Sequence, residues 1–412
     1  MRAHTHAPTP LLRVSLGVVR CWQAHRTEAG DRLAQKLSFL AAGTKGSARP
    51  SPALQPTFAR ALASACAALQ ALPGHARVRN RFMVVAHRMV VVLDLDGLLT
   101  LLAPALPLLV AAPDQAPADA PGGGGGGSDP WDVACELDRE QVAALINQLA
   151  IAARLRFAPL LEPLLLPLLQ RFADAIAAAV GGGASGVADG GAGGGAAAGI
   201  PSVACAVAAA VGSAQRLYLS LVSHVVLNGL APCLASPRNA PHLPTVLAAV
   251  VAGVEDTADP VVKKLCLGIL LGLLAEWGPA PAPPAAPPAV TPALPPPTVT
   301  PAPAPVPAAL THALLSFLAE TAVPAALRCL VAPTFRPRDA YSARVVGDVA
   351  KLLWEVHRAA GLLQGPAFAL GFAARIAATH GFPPTAAAQL SECLGAGTVA
   401  QLESALRGSL RR

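Results

Sequence analysis

The stretch DPVVKKLCLGILLGLLAEWG, Asp259 to Gly278, decides the fold class. Eleven uncharged residues separate Lys264 from Glu276. At about 1.5 Å per residue they cover roughly 16 Å, against about 30 Å of bilayer hydrocarbon. Its ends carry soluble-helix punctuation. Asp259 can accept from the first free N–H groups, Pro260 suits the first helical position, and Gly278 closes the helix before a run of prolines. Val261, Val262, Leu265, Ile269, Leu273 and Trp277 recur at helical spacing, and the opposite face is apolar too. A helix apolar nearly all round packs between two neighbours, so the stretch is predicted to be a core helix.

The high mean hydropathy of +0.50 reflects alanine, proline and glycine; aromatics make up only 4%. A second apolar run, Gly97 to Pro113, is broken by Pro104 and Pro107, so no membrane insertion is expected. Eight cysteines stand singly in apolar surroundings with no CxxC pair, which reads as free thiols in a reducing compartment. Arg2, Arg13, Arg20 and Arg26 precede the first acid, Glu28, a faint likeness to a transit peptide. The net charge of +7 permits an anionic partner without requiring one.

Three low-complexity segments divide the chain. Glycines 122–127 and the run 181–195 have the composition of flexible tethers, and 279–307, with fourteen prolines, that of a semi-rigid spacer. Neither glycine run ends in GK[ST], so neither is a phosphate loop. The resulting organisation is 1–36 poorly defined, 37–111 helical repeats, 112–130 linker, 131–180 helical hairpin, 181–200 linker, 201–278 repeats, 279–308 linker and 309–412 repeats. Within it, a helix is expected to start at Asp138, whose spacing to Gln141 matches a capping box. Another runs over 342–361, with Val345, Val346, Val349, Leu352, Leu353 and Val356 on its apolar face. Paired helices without strand alternation predict an all-α, HEAT-like α-solenoid.

Six stretches, in order, resemble the C-terminal half of exportin-T, the tRNA exportin of the importin-β superfamily. They are SFLAAGTKG (38–46), RVRNRFMVVAHRMVVVL (77–93), the LINQ segment (145–172), AQRLYLSLV (214–222), the opening stretch extended upstream to Val246, and FLAETAVPAALRCLVAPTFRPRDA (317–340). The resemblance implies a non-enzymatic nuclear export receptor that shuttles between nucleus and cytoplasm. Its implied partners are tRNA, Ran-GTP and nuclear pore proteins, and it implies no cofactor. It also implies that the repeats carrying most of the Ran surface lie outside this sequence.

The cations that could meet RNA phosphates are Lys45, Arg77, Arg79, Arg81, Arg88, Lys263 and Lys264, with Arg336, Arg338, Arg411 and Arg412 near the end. A-form RNA hides its bases, so shape and phosphate contacts would dominate, and scarce aromatics argue against a stacking platform. A protein–protein scaffold is the alternative function. A third reading rests on VVLDLDG (91–97), which imitates the nucleophile motif of haloacid-dehalogenase phosphatases with Asp94 as nucleophile and Asp96 as acid/base. That chemistry needs a strand before the motif, where the sequence instead predicts a helix end. His87 is expected to be an ordinary helix-face histidine.

Overall fold

The structure is a computed structural model. It describes residues 55–111, 130–185, 203–279, 307–337, 339–365 and 384–410, with short helical pieces at 28–29, 31–32, 35–36, 371–372 and 375. Among the described residues every regular element is helical, in agreement with the all-α class. Lys45, Arg338, Arg411, Arg412 and most of the three low-complexity segments lie outside the described residues. Contacts divide the chain into two compact units, Met1–His224 and Val225–Arg412.

The first unit begins with α1 (Gln55–Ala71) and α2 (Ala76–Val92). Gln55, at the start of α1, donates from Nε2 to the carbonyl of Val92 at the end of α2, so the two form an antiparallel hairpin. Short α3 (Leu95–Leu102) and α4 (Leu106–Val110) follow. Helix α5 spans Pro130–Ala153, and a 3-10 turn at Arg154–Phe157 leads into α6, Ala158–Ser185. Arg154 enters that turn at φ 47°, the one positive φ outside glycine among the described residues. Helix α7, Val203–Leu227, ends where Gly229 takes φ 76°, a left-handed conformation that glycine adopts without strain.

Two expectations need correction here. Helix α5 starts at Pro130, eight residues before Asp138, so Asp138 is buried inside the helix and caps nothing. The pattern was real but its partner is not the helix end; Asp138 faces two arginines instead. Helix α6 also continues through the first residues of the glycine run to Ser185.

The second unit holds α8 (Leu243–Glu255) and α9 (Pro260–Trp277). It continues with α10 (Ala308–Phe317), a π-helical turn (Leu318–Ala322) and α11 (Val323–Val331). Last come α12 (Ala340–Gln364), α13 (Pro384–Ala396) and α14 (Val399–Ser409). Helix α8 packs on α9 and on α11, and α9 packs on α12. First helix thus stacks on first and second on second, the local arrangement a helical-repeat array requires. Asp259 does cap α9, its Oδ1 accepting from the Val261 N–H at 2.9 Å. The buried side of α9 is Val262, Lys263, Cys266, Leu267, Ile269, Leu270, Leu273, Leu274 and Trp277; Val261, expected on that face, is 46% exposed.

Residues Ala308–Val331 form one helical rod, the one among the described residues long and apolar enough to cross a membrane by length and composition. Most of its apolar window, 61%, is buried in the protein, as in a core helix. Its π turn has a local cause. Pro324 lacks an N–H and its ring would crowd the carbonyl of Glu320, and one widened turn relieves both.

Candidate nucleic-acid interface

Helix α2 carries four of the candidate arginines, and helical geometry sorts them. At about 100° per residue, Arg77, Arg81 and Arg88 fall within about 40° of arc, with Val84 and Val91 flanking them, while Arg79 lies about 160° away. The structure follows this division. Arg77 and Arg81 are exposed and Arg88 is half-buried. Arg77 meets Asp31 at 2.8 Å across two exposed side chains, a pairing worth little net energy. Arg77 and Arg81 remain available to a phosphate backbone.

Arg79 does not. It is fully buried, donating from Nε and Nη2 to the two carboxylate oxygens of Asp138 at 2.8 and 2.9 Å. Nη1 donates to the carbonyls of Pro73 and Leu108, and Nη2 also reaches those of Leu109 and Ala111. Arg171 joins from α6, donating to Asp138 Oδ2 at 2.6 Å and to the Leu109 carbonyl. Burial pulls the Arg171 guanidinium below its ordinary pKa, with Asp138 opposing that pull. Arg79 is therefore removed from the RNA candidates: it is a structural clasp.

Lys263 is removed for the same reason. It lies in step with Cys266, Leu267 and Leu270 on the buried side of α9, and its Nζ donates to the Val254 carbonyl at 2.7 Å. Lys264, one residue further round, is exposed, and its charge pulls against the rise that burial imposes on the Asp348 carboxyl. It belongs to the second unit, and the arginines of α2 belong to the first.

Beside the arginine stripe runs the seam between α2 and α5. Arg79 pairs with Asp138 and His87 with Gln148, so residue numbers rise together and the helices lie parallel. His87 and Arg79 both sit on the α5 side of α2. Gln148 in turn sits beside the exposed positions Ala144 and Ile151 of α5. The His87–Gln148 contact thus lies on the seam between α2 and the exposed edge of α5, next round the helix from the arginine stripe. Across α5, Asn147 Nδ2 reaches Ser220 Oγ of α7 at 3.4 Å. Sequence reading missed this histidine–amide pair; only the HRM and LINQ stretches, 61 residues apart, pointed at it.

The Asp94–Asp96 motif takes no phosphatase form. Val91 and Val92 end a helix rather than a strand, and Asp94 Oδ1 caps α3 by accepting from Gly97 N–H at 2.8 Å. Asp96 faces Arg156 at 3.4 Å.

Against known proteins, one comparison is informative. Residues 210–398 match the Exportin-T family model. This bears out the exportin-T resemblance over the second half of the chain, where three of the six quoted stretches lie. The arginine face at 77–91 lies upstream of the matched residues. Exportins are transport receptors and not enzymes. No curated protein and no solved structure matches the chain.

Proposed function

We propose that this chain is part of a nuclear export receptor of the exportin-T type, with tRNA as cargo and Ran-GTP as its cycle partner, shuttling between nucleus and cytoplasm. The family match over 210–398 carries the reading, and exposed Arg77 and Arg81, with half-buried Arg88 between them in helical angle, supply cation chemistry suited to cargo phosphates. If cargo and Ran-GTP both bind this receptor and are coupled, each raises the affinity of the other by the same factor. Contacts to nuclear pore proteins complete the cycle. The test is tRNA binding by the full chain across a salt series, with and without Ran-GTP. Binding that weakens steeply with salt supports the reading.

A specific observation favours the second reading, a protein scaffold without RNA cargo. Val91, Ile151 and Leu155 are 59, 53 and 56% exposed, and the parallel course of α2 and α5 puts all three at one end of that pair. A folded chain that binds no tRNA at any salt concentration would favour this reading over the first.

A further inference from the structure

We infer that His87, held by Gln148, reads the ribose 2′-hydroxyl of a bound nucleic acid, so that this face selects RNA over DNA and over 2′-fluoro RNA. The inference rests on the nucleic-acid reading above and adds the group that recognises the sugar.

The Gln148 amide faces one unambiguous acceptor. Gln148 Nε2 donates to the backbone carbonyl of His87 at 3.2 Å, and a carbonyl can only accept. That fixes which end of the amide is nitrogen. The other end, Oε1, therefore faces His87 Nδ1 at 2.7 Å. An amide oxygen can only accept, so Nδ1 carries the hydrogen and neutral His87 is the Nδ1–H tautomer. Its Nε2 is left as a lone-pair acceptor. Among the described residues that atom has no partner, and it is not one of the buried polar atoms, so solvent or a ligand reaches it.

The surroundings say what the ligand must offer. Arg77 and Arg88 lie about 80° and 100° round α2 from His87, so the neighbouring surface is cationic and suits a polyanion. In the neutral ring that lone pair repels phosphate oxygens and takes a donor. Along a nucleic-acid backbone the sugar 2′-hydroxyl is such a donor, present in RNA and absent from DNA. Gln148 is a positioning residue: it touches no ligand but sets the tautomer and aim of the ring.

The experiment compares a short RNA hairpin with its all-2′-fluoro counterpart and with DNA of the same sequence, using the full chain. The 2′-fluoro hairpin keeps the A-form and loses the donor. The wild-type chain should bind RNA about three- to tenfold more tightly than 2′-fluoro RNA, the range one hydrogen bond gives. His87→Phe should abolish that preference. Gln148→Leu should reduce the preference in the same direction. Equal binding of RNA and 2′-fluoro RNA by the wild-type chain overturns the inference without any variant. So does a His87→Phe chain that keeps the preference. Binding of none of the three at low salt removes the nucleic-acid reading itself, and the inference goes with it.

Discussion

Arg79 donates to both carboxylate oxygens of Asp138, 59 residues away, at 2.8 and 2.9 Å, and both side chains are buried. Together with Arg171 the cluster holds two guanidiniums against one carboxylate. The balance comes from the carbonyls around α4, Leu108, Leu109 and Ala111, which supply the negative ends of peptide dipoles. Removing Asp138 strands buried Arg79 and the largely covered Arg171. Asp138→Ala is expected to cost about 3–5 kcal/mol, the range for breaking one side of a buried pair, read by urea denaturation. Arg77→Ala, at the surface, is expected to stay within about 0.5 kcal/mol. Equal effects would contradict the division between the two faces of α2.

The same clasp fixes the stems of the segment 112–129. Ala111 and Asp138 both touch Arg79, and Pro130 stands eight residues before Asp138, about 12 Å along the helix. A linker of roughly eight residues reaches about 26 Å when extended, ample for that span. Replacing 112–129 with such a Gly/Ser linker should therefore leave the midpoint of denaturation nearly unchanged. Loop-closure entropy changes by only about 0.6 kcal/mol per halving of length. A collapse in stability would show that the segment itself supports the fold.

The helices were legible because their signals are local. Asp259 and Pro260 announce a helix start, and the apolar face of α12 is the one its periodicity predicts. The chemistry of single residues was not. Asp138 and Gln141 have capping-box spacing, yet the box that forms is Thr398 with Gln401. The difference lies in what precedes each: Pro130 opens α5 upstream of Asp138, whereas Gly397 breaks the chain before Thr398. Arg79 and Lys263 were counted with their neighbours by adjacency along the chain. Helical angle would have set Arg79 apart from Arg77 and Arg81, since two residues turn the side chain by about 200°. Their partners, 59 residues away for Arg79 and nine for Lys263, follow only from packing.

The thiols give a prediction in alkaline solution. Burial pushes Cys66 from 9.0 up to about 11 and Cys266 up to about 12. A thiol raised on folding keeps its proton in the native state while the unfolded chain loses it. The stability this contributes is fully present below about pH 9 and is lost as pH rises towards 11 and 12. Urea midpoints should thus fall between pH 8 and pH 10, and Cys266→Ala should flatten the fall. In native chains at pH 8, iodoacetamide should modify the half-buried Cys393 before Cys66, Cys233, Cys266 or Cys329. Prompt native labelling of Cys266 would contradict its burial.

The arginine stripe yields the last prediction. Each phosphate contact adds roughly 0.7 to 0.9 to the slope of log affinity against log salt. Replacing Arg77, Arg81 and Arg88 together with Gln should lower that slope for tRNA by up to about two to three. Because phosphate contacts carry no base information, the loss should be nearly the same for different tRNA sequences. Stability should barely change, since two of the three side chains are exposed and the third is half-buried. The control is Lys264→Gln, a single exposed cation in the other unit, expected to shift the slope by no more than about one. If the triple variant binds tRNA with an unchanged slope while remaining folded, the stripe is a solvated surface, and cargo phosphates are held elsewhere on the chain.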